Sequence, residues 1–353
     1  MANGNSGLKE EIEVANYFTN LGYFTRFHIQ IYPDGDRGQV SDIDVFTIKF
    51  DNLLLATRNI IETKRSIDKV SALFQLYGFR KYYEDSNIFF VNKKANSRNF
   101  NVANKLNIKA YSFSRLKDLN KKSQRYNRHR NLTLELSDGE QIIKYLDEIK
   151  NIEDSLYWSY HYLWVEKNPF RKLNDIQEIF GITDDIYDKY QDDKAFLWFR
   201  KELFLMAFLS VIEISSKCIA LDNFDINEYV KEQYYNLGTS KRRKMEIKEG
   251  IDSLLELLKE QYENIELKSI DLIPPWINLL IKIVKKIIMN ANYANRFLLI
   301  NENIHKSHII GKPRYISTLT LNRFENKVLS SINIDLLRIL HKEQILKDFN
   351  HFI

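Results

Sequence analysis

Residues 41–48 have the sequence SDIDVFTI, and residues 59–65 have the sequence NIIETKR. Both segments are short, rich in Ile, Val, Phe and Thr, and bounded by turn-forming residues, which favours β-strands of about six residues. Between them, Phe50-Asp51-Asn52 favours a turn. The two segments therefore predict an antiparallel β-hairpin, and the rest of the first third of the chain is organised around it.

The predicted hairpin carries three ionisable side chains, Asp44 on its first strand and Glu62 and Lys64 on its second. Side chains alternate between the faces of a strand, so Glu62 and Lys64 share the face of Ile60. A charge among apolar residues costs on the order of several kcal/mol unless it is paired or binds a metal. Two carboxylates with a backbone carbonyl are hard oxygen ligands that suit Mg²⁺ or Mn²⁺. The pattern predicts a metal site at which Lys64 orients, or helps to deprotonate, a water molecule.

A structural ion pair between Glu62 and Lys64 is the alternative interpretation. Glu-x-Lys also occurs at residues 148–150, 246–248 and 266–268. Those copies lie in helix-like sequence, and no strand that carries an Asp precedes them. The copy at residues 62–64 ends an apolar strand and closely follows another strand with the pattern apolar-Asp-apolar, which favours the site.

Length and composition favour more than one domain. The chain has 353 residues, 44% of them hydrophobic, which is enough to bury a sizeable core. Its net charge of +5 is unevenly distributed: Lys and Arg number 17 against 13 acids in residues 1–120, 5 against 0 in residues 121–130, and 30 against 34 in residues 131–353. The positive charge of the first part predicts a polyanionic partner.

Cysteine content and hydropathy indicate the compartment. Cys218 is the only cysteine, which excludes an intramolecular disulfide framework and a cysteine-based zinc site. The sequence shows no secretory signal pattern. Its most apolar runs, residues 203–212 and 273–281, are too short to span a bilayer. We expect a cytoplasmic protein with no membrane partner.

The segments around the hairpin predict a mixed sheet sandwiched between helices, in the order α-β-β-β-α-β-α-β. Apolar spacing predicts helices over residues 6–21, 68–83 and 99–106, and strands over residues 22–31, 88–91 and 108–113. Glu11 lies on the flank of the apolar face of the first helix, and Gln75 lies on the helix after the hairpin. Three further acids, Asp34, Asp36 and Asp42, are assigned to turns and left outside the site.

These features resemble the PD-(D/E)xK nuclease superfamily, which has the restriction-endonuclease-like fold. The resemblance covers residues 5–118 and rests on the order of elements and on five features: the helix with Gly7 and Glu11, its end at Gly22, the Asp44 strand, the Glu62-Thr63-Lys64 strand and the Gln75 helix. The proline that names the motif is absent, since Ser41-Asp42-Ile43 precedes Asp44.

The resemblance also implies roles for the site residues. Asp44 and Glu62 would bind the metal, with the Thr63 carbonyl assisting, and Lys64 would position the nucleophilic water. Two further residues, Glu11 and Gln75, would be auxiliary.

A basic segment follows the nuclease-like region. Residues 121–130 contain no acid and almost no apolar residue, which predicts an exposed linker over residues 121–131. A solvated linker is the default interpretation. An arm that contacts DNA phosphates is the alternative, because each Lys or Arg placed on a phosphate releases condensed counterions. The cations of this arm are Lys121, Lys122, Arg125, Arg128 and Arg130.

Residues 132–353 predict a mostly α-helical domain. The predicted helices cover residues 138–150, 153–167, 174–189, 193–221, 225–236, 241–262, 276–297, 321–331 and 334–348. The slightly acidic balance contributes little attraction to DNA, and the apolar content exceeds what a spacer needs. We therefore expect a regulatory or interaction domain that forms a homodimer or docks a protein partner, and we expect residues 1–130 to be soluble without it.

Together these observations predict an α/β restriction-endonuclease-like domain at residues 1–120, a basic linker at 121–131 and a helical domain at 132–353. The predicted activity is Mg²⁺- or Mn²⁺-dependent hydrolysis of DNA phosphodiester bonds. This activity is compatible with three kinds of nuclease: a site-specific enzyme, a structure-specific enzyme, and the effector of a prokaryotic restriction or anti-phage defence system. The alternative is a catalytically silent nucleic-acid-binding or assembly subunit that keeps the fold.

Overall fold

The structure is a computed structural model that describes residues 5–32, 41–64, 70–82, 86–93, 97–124, 133–235, 237, 253, 274–309 and 321–340. Its first part contains a five-stranded sheet with the strands in sequence order: β1 (Phe24–Ile31), β2 (Ser41–Phe50), β3 (Ala56–Lys64), β4 (Ser86–Asn92) and β5 (Lys109–Ser112). Antiparallel pairs join β1 to β2 and β2 to β3, whereas β3, β4 and β5 run parallel. The predicted mixed sheet is confirmed.

The helices that accompany this sheet follow the predicted order, and a further helix comes after β5. They are α1 (Asn5–Asn20), α2 (Val70–Tyr82), α3 (Ser97–Lys105) and α4 (Phe113–Gln124). The expectation that residue 121 begins a linker is wrong, because Lys121 and Lys122 lie in the last turn of α4. This helix forms because Phe113 and Leu116 bury one of its faces in an apolar cluster that includes Leu8 of α1.

The β2–β3 hairpin is longer than the sequence predicts. Its strands have 10 and 9 residues rather than about six, because pairing continues to Phe50 and Ala56. The turn that joins them is held by Asp51, whose Oδ1 accepts hydrogen bonds from the backbone N–H groups of Leu53 (2.9 Å) and Leu55 (2.8 Å). The predicted turn at residues 50–52 is therefore the first part of the observed connection.

Two apolar clusters cover the two faces of the sheet. The smaller cluster packs α1 and α4 against Val45 and Ile61. The larger cluster contains Ile60 and Phe90 and continues into the helices that follow residue 133. The alternation expected along β3 is thus present at Ile60 and Ile61, and helices cover both faces of the sheet.

The described residues after 133 are mostly helical, as predicted. The helices are α5 (Leu136–Ile152), α6 (Asp154–Val165), α7 (Pro169–Asp185), α8 (Tyr187–Tyr190), α9 (Lys194–Cys218), α10 (Asn223–Tyr235), α11 (Ile277–Met289), α12 (Ala291–Ile309) and α13 (Arg323–Leu340). Apart from residue 253, the predicted helix at residues 241–262 lies outside the described residues.

Several predicted helix boundaries in this region are wrong. The α7 helix begins at Pro169, where the Asn168 side chain accepts hydrogen bonds from the first turn, and not at residue 174. The single helix predicted at residues 276–297 is divided at Asn290 into α11 and α12. Conversely, α13 runs through the break predicted at residues 332–333, because Asn333 is buried there and its amide exchanges two hydrogen bonds with Asn301, each 3.0 Å long.

A buried ionic network joins the sheet to the helical region. The Arg26 guanidinium of β1 donates hydrogen bonds to the Glu302 carboxylate of α12 at 2.7 and 2.9 Å, and it also pairs with Glu202 of α9. Glu202 in turn accepts from His305, 3.0 Å away. All four side chains are buried. The helical region therefore packs directly on the sheet and shares its core.

None of the helices within the described residues is both long enough and apolar enough to cross a membrane.

Candidate active site

Three elements bring four of the predicted site residues together. Glu11 comes from α1, Asp44 from β2, and Glu62 and Lys64 from the end of β3. Asp44 and Glu62 are each only 5% exposed, and Glu11 is 9% exposed. Lys64 is half-buried and forms an ion pair with Glu62, and its Nζ lies 3.8 Å from Oδ2 of Asp44. The structure therefore places these four predicted residues close together.

Asp44 occupies the point where β2 and β3 separate. Backbone pairing between the two strands ends at Val45 and Ile61. One residue further, Oδ2 of Asp44 accepts hydrogen bonds from the backbone N–H (2.6 Å) and the hydroxyl (3.0 Å) of Thr63. The carboxylate thus replaces a carbonyl as acceptor for a buried N–H, which would otherwise be left unpaired at a cost of about 1–3 kcal/mol. This contact fixes Asp44 beside Glu62.

The β1–β2 pair is distorted at the same level of the sheet. His28 stands opposite Asp44 in the register, between the pairs Phe27–Val45 and Ile29–Ile43. Its φ of 58° is left-handed, which is rare for a residue other than glycine. In a regular strand, Ile43 and Val45 would point to the same face of the sheet. Here they point to opposite faces, because Val45 belongs to the cluster under α1 and Ile43 belongs to the cluster on the other face. Such strained backbone is concentrated at functional sites.

Burial and mutual repulsion dominate the electrostatics of the carboxylates. Burial, followed by the charges of Asp44 and Asp42, raises the pKa of Glu11 to about 8. Burial and the charge of Asp44 likewise raise the pKa of Glu62 to about 8. Burial also raises the pKa of Asp44, although Lys64 and the hydrogen bonds from Thr63 oppose the increase. Without a bound cation, the buried cluster therefore favours the protonated forms of Glu11 and Glu62 near neutral pH.

Lys64 stays charged in this environment. Its burial alone would lower its pKa, but the charges of Asp44 and Glu62 outweigh that effect and raise the pKa above its ordinary value. An ammonium group at this position donates hydrogen bonds and does not accept a proton. The sequence left open whether Lys64 orients or deprotonates a water, and these contacts favour orientation.

The donor set fits a hard divalent cation. Asp44 and Glu62 supply carboxylate oxygens from adjacent strands, and a cation between them would offset the repulsion by which Asp44 raises the pKa of Glu62. Oε2 of Glu11 is buried without a hydrogen-bond partner in the described residues. The described residues include no group of three or more His, Cys, Asp or Glu side chains arranged to hold a metal ion; the predicted ligand set asks for two carboxylates and a carbonyl.

The structure does not bring the other predicted residues into this cluster. Gln75 lies on α2 with an exposed side chain, and no hydrogen bond joins it to the carboxylates within the described residues. Lys121 and Lys122 are exposed at the end of α4. The remaining cations of the predicted arm, Arg125, Arg128 and Arg130, lie outside the described residues.

Two residues that the sequence reasoning left out lie beside the carboxylate cluster. Asp42, which was assigned to a turn, lies inside β2, where its charge raises the pKa of Glu11. The signal for it was its spacing of two residues from Asp44, which places both side chains along one strand. Nδ1 of His28 lies 4.0 Å from Oε2 of Glu11. Nothing in the local sequence distinguishes His28, because its position depends on the pairing of β1 with β2.

Comparison of the chain with family models, with curated proteins and with solved structures finds no match.

Proposed function

We propose that this protein is a metal-dependent nuclease that hydrolyses DNA phosphodiester bonds. The observation that carries the proposal is the buried pair Asp44 and Glu62 on adjacent strands, with Lys64 between them and the unpaired oxygen of Glu11 nearby. Structural ion pairs neutralise their charges. This cluster places four carboxylates around one ammonium group, and the pKa values of Glu11, Asp44 and Glu62 are raised, which is an arrangement suited to binding a cation.

Each residue has a distinct part in the proposed reaction. Asp44 and Glu62 would hold Mg²⁺ or Mn²⁺, with the Thr63 carbonyl assisting. A cation bound there would supply Lewis-acid polarisation of the scissile phosphate and would favour ionisation of the attacking water. Lys64, which remains an ammonium, donates a hydrogen bond that orients the water or a phosphate oxygen.

Glu11 is suited to accept the proton that the attacking water releases. A general base works best when its pKa is near the operating pH, and burial raises the pKa of Glu11 to about 8. Its Oε2 atom is buried and makes no hydrogen bond with the described residues, so its capacity to accept a proton is not used by another protein group there. Nδ1 of His28 lies 4.0 Å from that oxygen, so the imidazole is a neighbour of the carboxylate but does not hydrogen-bond to it.

A nuclease assay tests the proposal. Plasmid, linear duplex, single-stranded DNA and RNA are incubated with the protein in Mg²⁺, in Mn²⁺ and in EDTA. We expect metal-dependent cleavage of DNA by the wild type and its loss in Asp44→Asn, Glu62→Gln and Lys64→Met. Asp118→Asn, which changes an exposed acid on α4, is the matched control and should cleave normally.

Two outcomes would overturn the proposal. Cleavage by all three site variants at the wild-type rate would show that the residues are wrong. DNA binding without cleavage, indifferent to divalent metal and to Asp44→Asn, would identify the catalytically silent binding subunit instead.

A further inference from the structure

The helical region has a basic groove between α11 and α13. Its volume is about 630 Å³, and its lining includes four cations and one acid: Lys282, Arg323, Lys327, Arg338 and Asp335. Lys286, next to the groove, contributes a fifth positive charge through its contact with Asp335 at 2.6 Å. This concentration of charge occurs in a region whose sequence is acidic on balance.

Asp335, the one acid among the described residues that line the groove, holds cations in place and does not neutralise the surface. Asp335 is buried and forms ion pairs with Lys286 (2.6 Å), Lys282 (3.1 Å) and Arg338 (3.7 Å). Burial alone would raise its pKa, but the hydrogen bonds from Lys286 and Lys282 outweigh that effect and lower the pKa. One carboxylate therefore holds three cations in place, and about two positive charges remain uncompensated there.

The other two cations are available to a ligand. Arg323 and Lys327 are exposed, and neither forms an ion pair with any residue of the described part of the chain. They lie one helical turn apart on the face of α13 that also carries Ser330, Ser331 and Arg338. Hydroxyl groups and cations on one face are the donors that proteins use to hold phosphates.

The length of the groove identifies the kind of anion. From Arg323 to Arg338, α13 advances about 22 Å at 1.5 Å per residue. Successive phosphates of one strand in a duplex advance about 3.4 Å along the axis, so this row spans several phosphates. A single phosphate or a compact ligand would leave most of the cations without a partner.

We propose that the groove between α11 and α13 binds the sugar-phosphate backbone of a nucleic-acid strand. The groove would hold a strand at a place separate from the carboxylate cluster, and its cations would contact phosphates without reading base sequence. The inference goes beyond the proposed nuclease activity, since binding here requires neither the metal nor the carboxylates.

Salt-dependent binding of an oligonucleotide tests this inference. Fluorescence anisotropy in EDTA compares the wild type with the double variant Arg323→Ala/Lys327→Ala, using a fluorescent 20-nucleotide single strand and the corresponding duplex. At about 50 mM salt, we expect the double variant to bind the single strand about tenfold more weakly, with a salt slope reduced by about 1.4. Lys194→Ala/Lys217→Ala removes two exposed cations of α9 and is the matched control, expected to bind as the wild type does.

Three results would overturn the inference: unchanged affinity in the groove variant, equal loss in the control, or displacement of the strand by poly-glutamate or a nucleoside triphosphate at equal charge concentration. The substituted side chains are exposed, so an unchanged unfolding transition is expected and identifies weaker binding as a local effect. Loss of cleavage has no bearing on this result, because the assay contains no divalent metal. A protein that binds in the groove but never cleaves would contradict only the nuclease proposal.

Discussion

Asp44 accepts both of the hydrogen bonds that Thr63 donates to it through a single oxygen, Oδ2. The contact lies one residue beyond the last backbone pair of the hairpin, Val45 with Ile61. A carboxylate that we expect to bind a metal therefore also holds β2 to β3. Because the two functions depend on different properties of the side chain, different substitutions separate them.

Asp44→Asn keeps an oxygen that accepts the Thr63 N–H and removes the negative charge. We expect this variant to lose cleavage but to keep its fold. Asp44→Ala leaves the buried N–H of Thr63 unpaired and should lower the free energy of unfolding by about 1–3 kcal/mol. Urea denaturation of the two variants measures the difference. Equal free energies of unfolding for Asp44→Asn and Asp44→Ala would show that these hydrogen bonds do not stabilise the hairpin.

The raised pKa values predict a pH-dependent stability in the absence of metal. Glu11 and Glu62 each have a pKa of about 8 in the folded protein, against an ordinary value of 4.5. Between these values the folded state binds more protons than the unfolded state, so the free energy of unfolding falls as the pH rises from 4.5 to about 8.

Thermal or urea unfolding in EDTA across this pH range measures the effect. Glu11→Gln removes one titrating group and should flatten the dependence, by on the order of 1 kcal/mol for each unit of pKa shift. Added Mg²⁺ should restore stability at the alkaline end, since a ligand of the folded state stabilises it. A Glu11→Gln profile parallel to that of the wild type would contradict the pKa of Glu11.

The left-handed backbone at His28 predicts different stabilities for two small substitutions. Glycine adopts a φ of 58° without strain, so His28→Gly should be about 1 kcal/mol more stable than His28→Ala. Both variants lose the imidazole beside Glu11, and we expect both to cleave DNA more slowly than the wild type. Chemical denaturation and initial cleavage rates are the measurements. Equal stability of the two variants would mean that position 28 stores no strain.

The shared core predicts the behaviour of a fragment that ends at residue 130. Phe24, Phe46 and Ile60 belong to the cluster that the helices complete, and Arg26 would lose both of its buried carboxylate partners. We expect residues 1–130 to aggregate or unfold, in contrast to the soluble fragment that the sequence predicts. Expression and size-exclusion chromatography of the fragment provide the measurement, and a monomeric, cooperatively folded fragment would contradict this prediction.

Arg26→Ala in the full chain tests the same contact without truncation. Removing the guanidinium leaves Glu202 and Glu302 buried without their main counter-charge, which should cost about 3–5 kcal/mol. Arg338→Ala removes an exposed cation that shares its acid with Lys282 and Lys286, and it should cost less than about 1 kcal/mol. Equal losses in the two variants would show that the network does not join the two parts of the chain.

The hairpin, and with it the proximity of Asp44, Glu62 and Lys64, was determined by the sequence itself. Strand alternation is local, so the positions of Asp44, Glu62 and Lys64 followed from the residues beside them. The mixed sheet followed in the same way from the order of short apolar segments. Helix boundaries were less accurate, because Asn168 and Asn333 act through a cap and a buried amide pair that composition does not reveal.

Only the tertiary structure decided which distant residues meet. The register of β1 on β2 brings His28 opposite Asp44, and the packing of α1 brings Glu11 near it. Gln75 is exposed and lies outside the cluster. Its closeness to the hairpin in sequence did not determine the direction of its side chain, which depends on how α2 packs.

The charge of the helical region shows most clearly what the sequence alone does not predict. Summing 30 cations against 34 acids over residues 131–353 predicts little attraction to DNA. Folding brings Lys282 and Lys286 of α11 beside Arg323, Lys327 and Arg338 of α13, and thereby concentrates five cations in and beside one groove. The field that a ligand meets depends on where charges lie, and that arrangement exists only after the helices have packed.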